Sequence, residues 1–214
     1  MNSGFSAAAF KSLIEYALKG ERKNYHVTRL AMYKALRLAF AEHDGPDRRC
    51  LSISSSGHLA QVLGLQSVQI TEANYPQHNM AALTSIPDDT FDFCISDMVL
   101  EHVEGDPFVA FSESVRVLKS GGRLCHTTCF AYPTHGYPKD FWRFTPIALE
   151  LMARGAGCCE MQAAGWGNLD AWALFHAGFG MARIPDDPQN PIYQIATNND
   201  PAWPIVTWII ATKP

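Results

Sequence analysis

The chain has 214 residues, 47% of them hydrophobic and 18% charged, with a net charge of −4. That length buries roughly 70% of the unfolded surface in one domain, and the acidic balance argues against a nucleic-acid or anionic-membrane partner. No apolar run reaches the ~20 residues that span a bilayer, and the N-terminus lacks the order of a secretory signal.

Two helices are predicted to open the chain, over about Ser6 to Lys19 and about Tyr25 to Glu42, the second stopped by Asp44-Gly45-Pro46. The cluster Arg22, Lys23, Arg29, Lys34 and Arg37 on this segment reads as a solvated face. Arg49 to Ser54 reads as the first strand, His58 to Leu63 as its helix, and Ser67 to Thr71 as the second strand, ending at Glu72. A weak edge strand is expected near Met80 to Leu83.

Phe91 to Ser96 is a short apolar run suited to a buried parallel strand, with Asp97 at its carboxyl end. Asp106-Pro107 supplies an N-cap and a first-turn proline. Phe108, Phe111, Val115 and Leu118 follow at helical spacing, before Gly121-Gly122 ends that helix and Arg123 to Phe130 returns as a strand. An irregular aromatic stretch then leads to a helix from Pro146 to Arg154, stopped by Gly155 and Gly157. Trp166 to Ala177 is expected as a short helix, Ile184 to Pro204 as loop, and Ile205 to Thr212 as the final strand. Alternating strands and helices predict an α/β fold. The six cysteines show neither a CxxC pair nor a zinc spacing. They read as reduced core thiols, and the expected location is cytoplasmic.

Ile86-Pro87, Asp88-Asp89, Phe91-Asp92, Leu100-Glu101-His102 and Arg116-Val117-Leu118-Lys119-Ser120-Gly121-Gly122 occur in that order. This set resembles the second half of a class I S-adenosylmethionine-dependent methyltransferase domain of the type 11 kind, and the resemblance covers roughly Arg49 to Gly157. It implies a three-layer α/β sandwich with a Rossmann-like, mostly parallel sheet of about six or seven strands and an antiparallel last strand. It also implies one domain over 1–214, with N-terminal helices over 1–45 across the cofactor cleft, where Tyr25, His26 and Arg29 could reach it. A helix pair covering a sheet edge is the other reading of that segment. The stretch His135 to Pro146 resembles the substrate-side loop of a subgroup acting on small molecules or sugars, so 131–145 is expected as a lid.

Open α/β sheets bind ligands outside the carboxyl ends of their strands, which selects Ser54 to His58, Glu72 to Asn74, Asp97 to His102 and Phe130 to Arg143. The resemblance implies S-adenosylmethionine there, along Ser52, Ser54, Ser56, Gly57, Glu72, Ala73, Ala82, Leu83, Asp97 and Met98. Glu72 matches the acid that accepts both ribose hydroxyls. The family's first-loop acid stands here as Ser52, its glycines as Ser54, Ser56 and His58, and its adenine-side aspartate as Ala82. The hydroxyls of Ser52, Ser54 and Ser56 are expected to compensate at the methionine end.

Methyl transfer from a sulfonium needs alignment and, for a protonated acceptor, a base. His135, oriented by Asp140, is the leading catalytic candidate and His102 the second, while His126 reads as a core histidine. Tyr132, Tyr137, Phe141, Trp142 and Arg143 are expected either to line a substrate pocket or to plug the lid onto the core. No metal-ligand spacing stands out in the sequence, and Ser54-Ser55-Ser56-Gly57 is not a G-x-S-x-G elbow. The expected activity is methyl transfer to a hydroxyl or amine of a small molecule such as a sugar or nucleotide-sugar. The alternative is a methyltransferase fold that has lost the cofactor and serves as a binding or regulatory protein, with other chemistry in the same cleft a third reading.

Overall fold

The computed structural model describes residues 7–19, 23–136 and 139–214. In chain order its elements are α1 (Ala7–Ala17), β1 (Lys23–His26), α2 (Leu30–Phe40), β2 (Arg49–Ile53), α3 (Gly57–Leu63), β3 (Gln69–Ala73), β4 (Phe91–Asp97), α4 (Pro107–Arg116), β5 (Leu118–Cys129), α5 (Pro146–Gly155), β6 (Cys159–Trp166), α6 (Leu169–Leu174), β7 (Arg183–Pro185), α7 (Pro191–Thr197) and β8 (Val206–Thr212). They divide into two compact units, Tyr33–Gly165 with Val206–Pro214, and Met1–Met32 with Trp166–Ile205.

The larger unit is built on a six-stranded sheet in the order β3-β2-β4-β5-β8-β6. β3, β2, β4 and β5 run parallel, and β8 is antiparallel to β5, as the resemblance implies. β4 and β8 are buried along nearly their whole length, which is why both read as continuous apolar runs rather than alternating ones. On one side of the sheet, Phe111 and Val115 of α4 and Leu149 and Met152 of α5 join Leu51, Leu124 and Ile209 in one core. Each fully buried side chain of this size contributes about 1.5–3 kcal/mol. Phe40 of α2 meets Phe93 of β4 edge to face at 6.2 Å, and the Arg123 guanidinium lies over the Phe40 ring.

Met80 to Leu83 adds no strand to this sheet, only an isolated Asn79–Ala82 bridge. The helix before Gly121-Gly122 ends at Arg116, and both glycines lie inside β5. The β4–β5 register shifts between Phe91 and Phe93, and a Cβ on Gly122 would stand 2.8 Å from the Lys119 carbonyl oxygen. Gly122 thus serves a close backbone approach at an irregularity in the ladder, not a helix stop.

In the smaller unit β1 and β7 form an antiparallel ribbon. Tyr25 and His26, predicted as helix, are strand residues because this pairing overrides local propensity, and α2 starts only at Leu30. The expected loop at Ile184 to Pro204 carries the end of β7 and all of α7. Asn190 caps α7 by accepting from Ile192 N at 2.9 Å and donates from Nδ2 to the Ala17 carbonyl at 2.7 Å. Asn168 caps α6 through Ala171 N and donates to the Ile195 and Asn198 carbonyls. Each asparagine therefore ends one element and ties it to another. Trp166, expected in a helix, closes β6. Among the described residues no helix is long and apolar enough to cross a membrane.

Candidate functional site

The loop between β2 and α3 takes a glycine-like path without the glycines. Ser54 and Ser55 have φ of +53° and +61°, a left-handed conformation that costs an L-residue roughly 1–2 kcal/mol. Local hydrogen bonds hold it. Ser54 N donates to the Ala73 carbonyl at 3.0 Å, and Ser55 N donates to Asn74 Oδ1 at 2.7 Å. The Ser56 hydroxyl donates to the Ile53 carbonyl and accepts from Asp97 N at 2.9 Å, which anchors the loop to the end of β4.

Glu72, near the end of β3, turns its carboxylate toward this loop. Oε2 accepts from the buried Ser52 hydroxyl at 2.9 Å, and a Cβ on Gly57 would stand 2.6 Å from Oε1. Gly57 is therefore the residue whose missing side chain makes room for the acid. Asp97 is gripped on both oxygens. Tyr33 donates to Oδ2 at 2.6 Å, His58 Nε2 lies 2.7 Å from the same oxygen, and Thr127 donates to Oδ1.

A cavity of about 820 Å³ opens beside these strand ends. Ser54, Ser55, Asn74, Asn79, Met80 and Met98 line one part of it, and Val99, His102, Val103 and Phe141 another. His102 Nδ1 lies 2.6 Å from the Lys139 carbonyl oxygen. His135 packs edge-on against His102 with ring centroids 4.9 Å apart, and its Nδ1 is 3.0 Å from Asp140 Oδ2. Asp140 is nearly inaccessible and also accepts from His135 N at 2.9 Å and from the Arg143 guanidinium, with NH2 at 2.7 Å from Oδ2. The Arg143 hydrogen bonds hold the Asp140 carboxyl well below the usual carboxylate range. Glu101 is fully buried, and its Oε2 accepts from Thr128 Oγ1 at 2.9 Å. Its carbonyl takes the amides of Phe141 and Trp142, fastening that segment to the turn after β4.

The predicted residues separate by these contacts. Ser54, Met98 and His102 face the cavity. Ser52 and Ser56 are buried and commit their hydroxyls to Glu72 and to the Ile53 carbonyl, whereas Ser54 and its neighbour Ser55 line the cavity. Ala73 is buried and contributes its carbonyl to the loop. Leu83 is a core residue whose amide is bound by Glu113 Oε2 at 2.8 Å, and on the adenine side Asn79 and Met80, not Ala82 and Leu83, line the cavity.

In the segment after β5, Arg143 is paired with Asp140, and Trp142 donates Nε1 to the Val103 carbonyl at 2.9 Å while stacking on Phe144. Both contacts hold that segment in place. Tyr132 lies against the His135 ring, and Tyr137 falls outside the described residues. His126 is a core histidine, its Nδ1 2.8 Å from the Ser96 hydroxyl. Sequence reasoning missed Tyr33 and His58 as partners of Asp97, and Asn74 as the anchor of Ser55. The Asn74 signal was present, an Asx side chain two residues past a strand-end acid.

A nucleoside-bearing cofactor fits these residues. The cavity lies within the usual range for small-molecule sites, about 300–1,000 Å³. The Gly57 gap leaves the Glu72 carboxylate room beside the loop, and the left-handed Ser54 and Ser55 line the cavity.

Residues 35–126 match the family model described as "Methyltransferase domain". No curated protein matches the chain. Among solved structures, a SAM-dependent methyltransferase from Archaeoglobus fulgidus is 16% identical, with 95% of this chain and 100% of that one covered and a TM-score of 0.55. A Haloferax volcanii methyltransferase in complex with its activator Trm112 is 15% identical over 97% and 94% of the two chains, at a TM-score of 0.54. Phosphoethanolamine N-methyltransferase 2 of Haemonchus contortus, in complex with S-adenosyl-L-methionine, is 15% identical, covering all of this chain and 58% of that one at a TM-score of 0.51. Sheet order and the matched segment agree: the chain has the Rossmann-like fold of S-adenosylmethionine-dependent methyltransferase structures, and its residues 35–126 are similar to the methyltransferase domain family.

Proposed function

We propose that the protein transfers a methyl group from S-adenosylmethionine to a hydroxyl or amine of a small molecule, with a sugar or nucleotide-sugar as the favoured class. The observation that carries this reading is the single cavity reaching from the Ser54-Ser55 loop to His102 and Phe141. A donor at one end and an acceptor at the other would meet inside it. When bound, the cofactor supplies an electrophilic methyl on a sulfonium, open to in-line displacement.

In this reading Glu72 accepts from the ribose hydroxyls, held in place by Ser52 and given room by Gly57. Ser54, Ser55 and Asn74 bind the polar groups nearest the loop, and Asn79 and Met80 cover the base. Asp97 and Met98 shape the methionine end. The acceptor lies toward His102, His135 and Phe141, where Asp140 orients His135 and the imidazoles manage the acceptor's proton. Tyr132 and Phe141 offer aromatic faces to a ring. The net charge of −4 supports a small neutral or cationic acceptor over a nucleic acid. Five free cysteines are buried, which supports a reducing, cytoplasmic setting.

Calorimetric titration with S-adenosylmethionine and S-adenosylhomocysteine, alongside thermal denaturation, tests the proposal. A ligand specific for the native state adds about 2.7 kcal/mol of stability at 100 times its Kd. Heat of binding together with a raised melting temperature is expected. No response at millimolar cofactor would overturn the reading.

A further inference from the structure

Glu101, His102 and His135 each offer one ligand atom, and these atoms lie within 4.8 Å of one another. Two of the residues belong to the turn after β4 and the third to the lid, so folding brings together what the sequence spacing hides. We propose that this cluster binds a divalent first-row transition cation at the acceptor end of the cleft.

The surroundings of the three side chains carry the proposal. A metal-binding histidine almost always gives its other ring N–H to a carbonyl or carboxylate, which fixes the tautomer. Here His102 Nδ1 is 2.6 Å from the Lys139 carbonyl oxygen, and His135 Nδ1 is 3.0 Å from Asp140 Oδ2. Those contacts leave Nε2 of both rings to a ligand. Glu101 is oriented by Thr128 Oγ1. Bonds of about 2.0–2.2 Å to a cation place donor atoms roughly 3–4 Å apart, so ligand atoms already within 4.8 Å of one another need only a small inward adjustment. Two imidazoles and one carboxylate suit zinc, manganese, iron or cobalt better than magnesium or calcium, which prefer all-oxygen sites.

Three protein ligands leave coordination positions open, as in catalytic rather than structural sites. His102 lines the cavity, so those positions face the space assigned to the acceptor. This role rests on the methyl-transfer reading; the binding site itself does not. A hydroxyl bound to such a cation loses its proton far more readily than a free one. With the cation bound, both imidazoles are ligands, so the proton goes to solvent instead of to a histidine and the oxygen keeps the electron pair. A cation that expands to five ligands has two positions open beside the three protein ligands and selects an acceptor with a second oxygen beside the first, such as a vicinal diol or a hydroxy acid.

The test uses the full chain freed of metal by chelator dialysis, titrated with Co2+ by calorimetry and visible absorption and with Mn2+ by electron paramagnetic resonance. One cation per chain is expected, with Co2+ bands lacking thiolate charge transfer. His102→Ala and His135→Ala should each weaken binding at least tenfold, and Asp140→Asn should weaken it 10- to 100-fold through His135. Circular dichroism confirms that each variant is folded, and because His102 and His135 are only half-buried the test does not depend on replacing buried Glu101. Absent binding, binding unchanged in both histidine variants, or thiolate bands would overturn the proposal. A chain that binds S-adenosylmethionine but neither cation overturns this site alone. One that binds Co2+ but no S-adenosylmethionine overturns the cofactor reading alone.

Discussion

Ser52 and Glu72 are register partners on the adjacent parallel strands β2 and β3, and the Ser52 hydroxyl donates to Glu72 Oε2 at 2.9 Å. The residue that stands where the family carries an acid is thus the support of the acid one strand away. A carboxylate at 52 would face Glu72 directly, and like charges opposite each other in a sheet are destabilising. Serine removes that conflict and fixes the Glu72 rotamer.

Gly57→Ala should separate cofactor binding from stability. The added Cβ would stand 2.6 Å from Glu72 Oε1, but that atom is the free end of a flexible, exposed side chain. The carboxylate swings away at the expense of its one Ser52 hydrogen bond, about 1 kcal/mol, while its alignment on a diol is lost. We expect a melting temperature close to wild type and S-adenosylmethionine affinity down about tenfold, equivalent to about 1.4 kcal/mol. Ser52→Ala should follow in the same direction with a smaller loss. Equal affinity in Gly57→Ala, measured by calorimetry, would remove Glu72 from the cofactor site.

How much of this was legible beforehand depended on whether the signal was local. The Ile86 to Gly122 pattern gave β4, the Asp106 cap and the start of α4 nearly to the residue, because burial on both faces and an N-cap–proline pair are written in adjacent letters. Glycine at 121 and 122 misled, since a helix stop and a strand irregularity use the same residue for different backbone reasons. β1 and β7 have only four and three residues and exist by mutual pairing, which no single window shows. The same holds at the site. Glu72 and His102 could be placed from strand ends, whereas the grip of Tyr33, His58 and Thr127 on Asp97 joins four distant segments.

The left-handed serines make a second prediction. Replacing Ser54 by glycine relieves a conformational cost of roughly 1–2 kcal/mol, offset by about 0.5–1 kcal/mol of added unfolded-state entropy. Ser54→Gly should therefore be neutral or stabilising by up to about 1.5 kcal/mol. Asn74→Ala should do the opposite, because it strips the acceptor from Ser55 N at φ +61°. A loss of about 1–2 kcal/mol is expected there. Urea unfolding of both variants checks the pair, and an Asn74→Ala chain as stable as wild type would show that the loop holds without that bond.

Glu113 clamps the segment beside the cavity. Oε2 accepts from Leu83 N at 2.8 Å, and Arg116 bonds both Glu113 and the Leu83 and Ile86 carbonyls. The Arg116 hydrogen bonds lower the Glu113 pKa against the opposing effect of burial. A depressed carboxyl contributes stability above its unfolded pKa, about 4.3, and that contribution fades as pH falls below it toward the folded value. Glu113→Gln should cost about 1–3 kcal/mol at pH 7. The gap to wild type should narrow on acidification below about pH 4, and a gap independent of pH would contradict the assigned pairing.

His126 carries the opposite chemistry in the same acid range. Its ring is fully buried between the Ser96 hydroxyl and the edge of Phe111, with no hydrogen-bond partner for Nε2 among the described residues. Desolvation lowers its pKa to about 3. Between about pH 6.5, where the unfolded imidazole titrates, and pH 3, the unfolded chain binds a proton that the folded chain refuses. Stability must therefore fall as pH falls through that window, by up to about 1.4 kcal/mol per pH unit from this group. His126→Asn removes the titration. At pH 7 the variant should be less stable through lost packing, and its disadvantage should shrink steadily toward pH 4. Parallel stability curves for the two proteins, from chemical denaturation across that range, would mean that His126 takes up its proton without leaving the core.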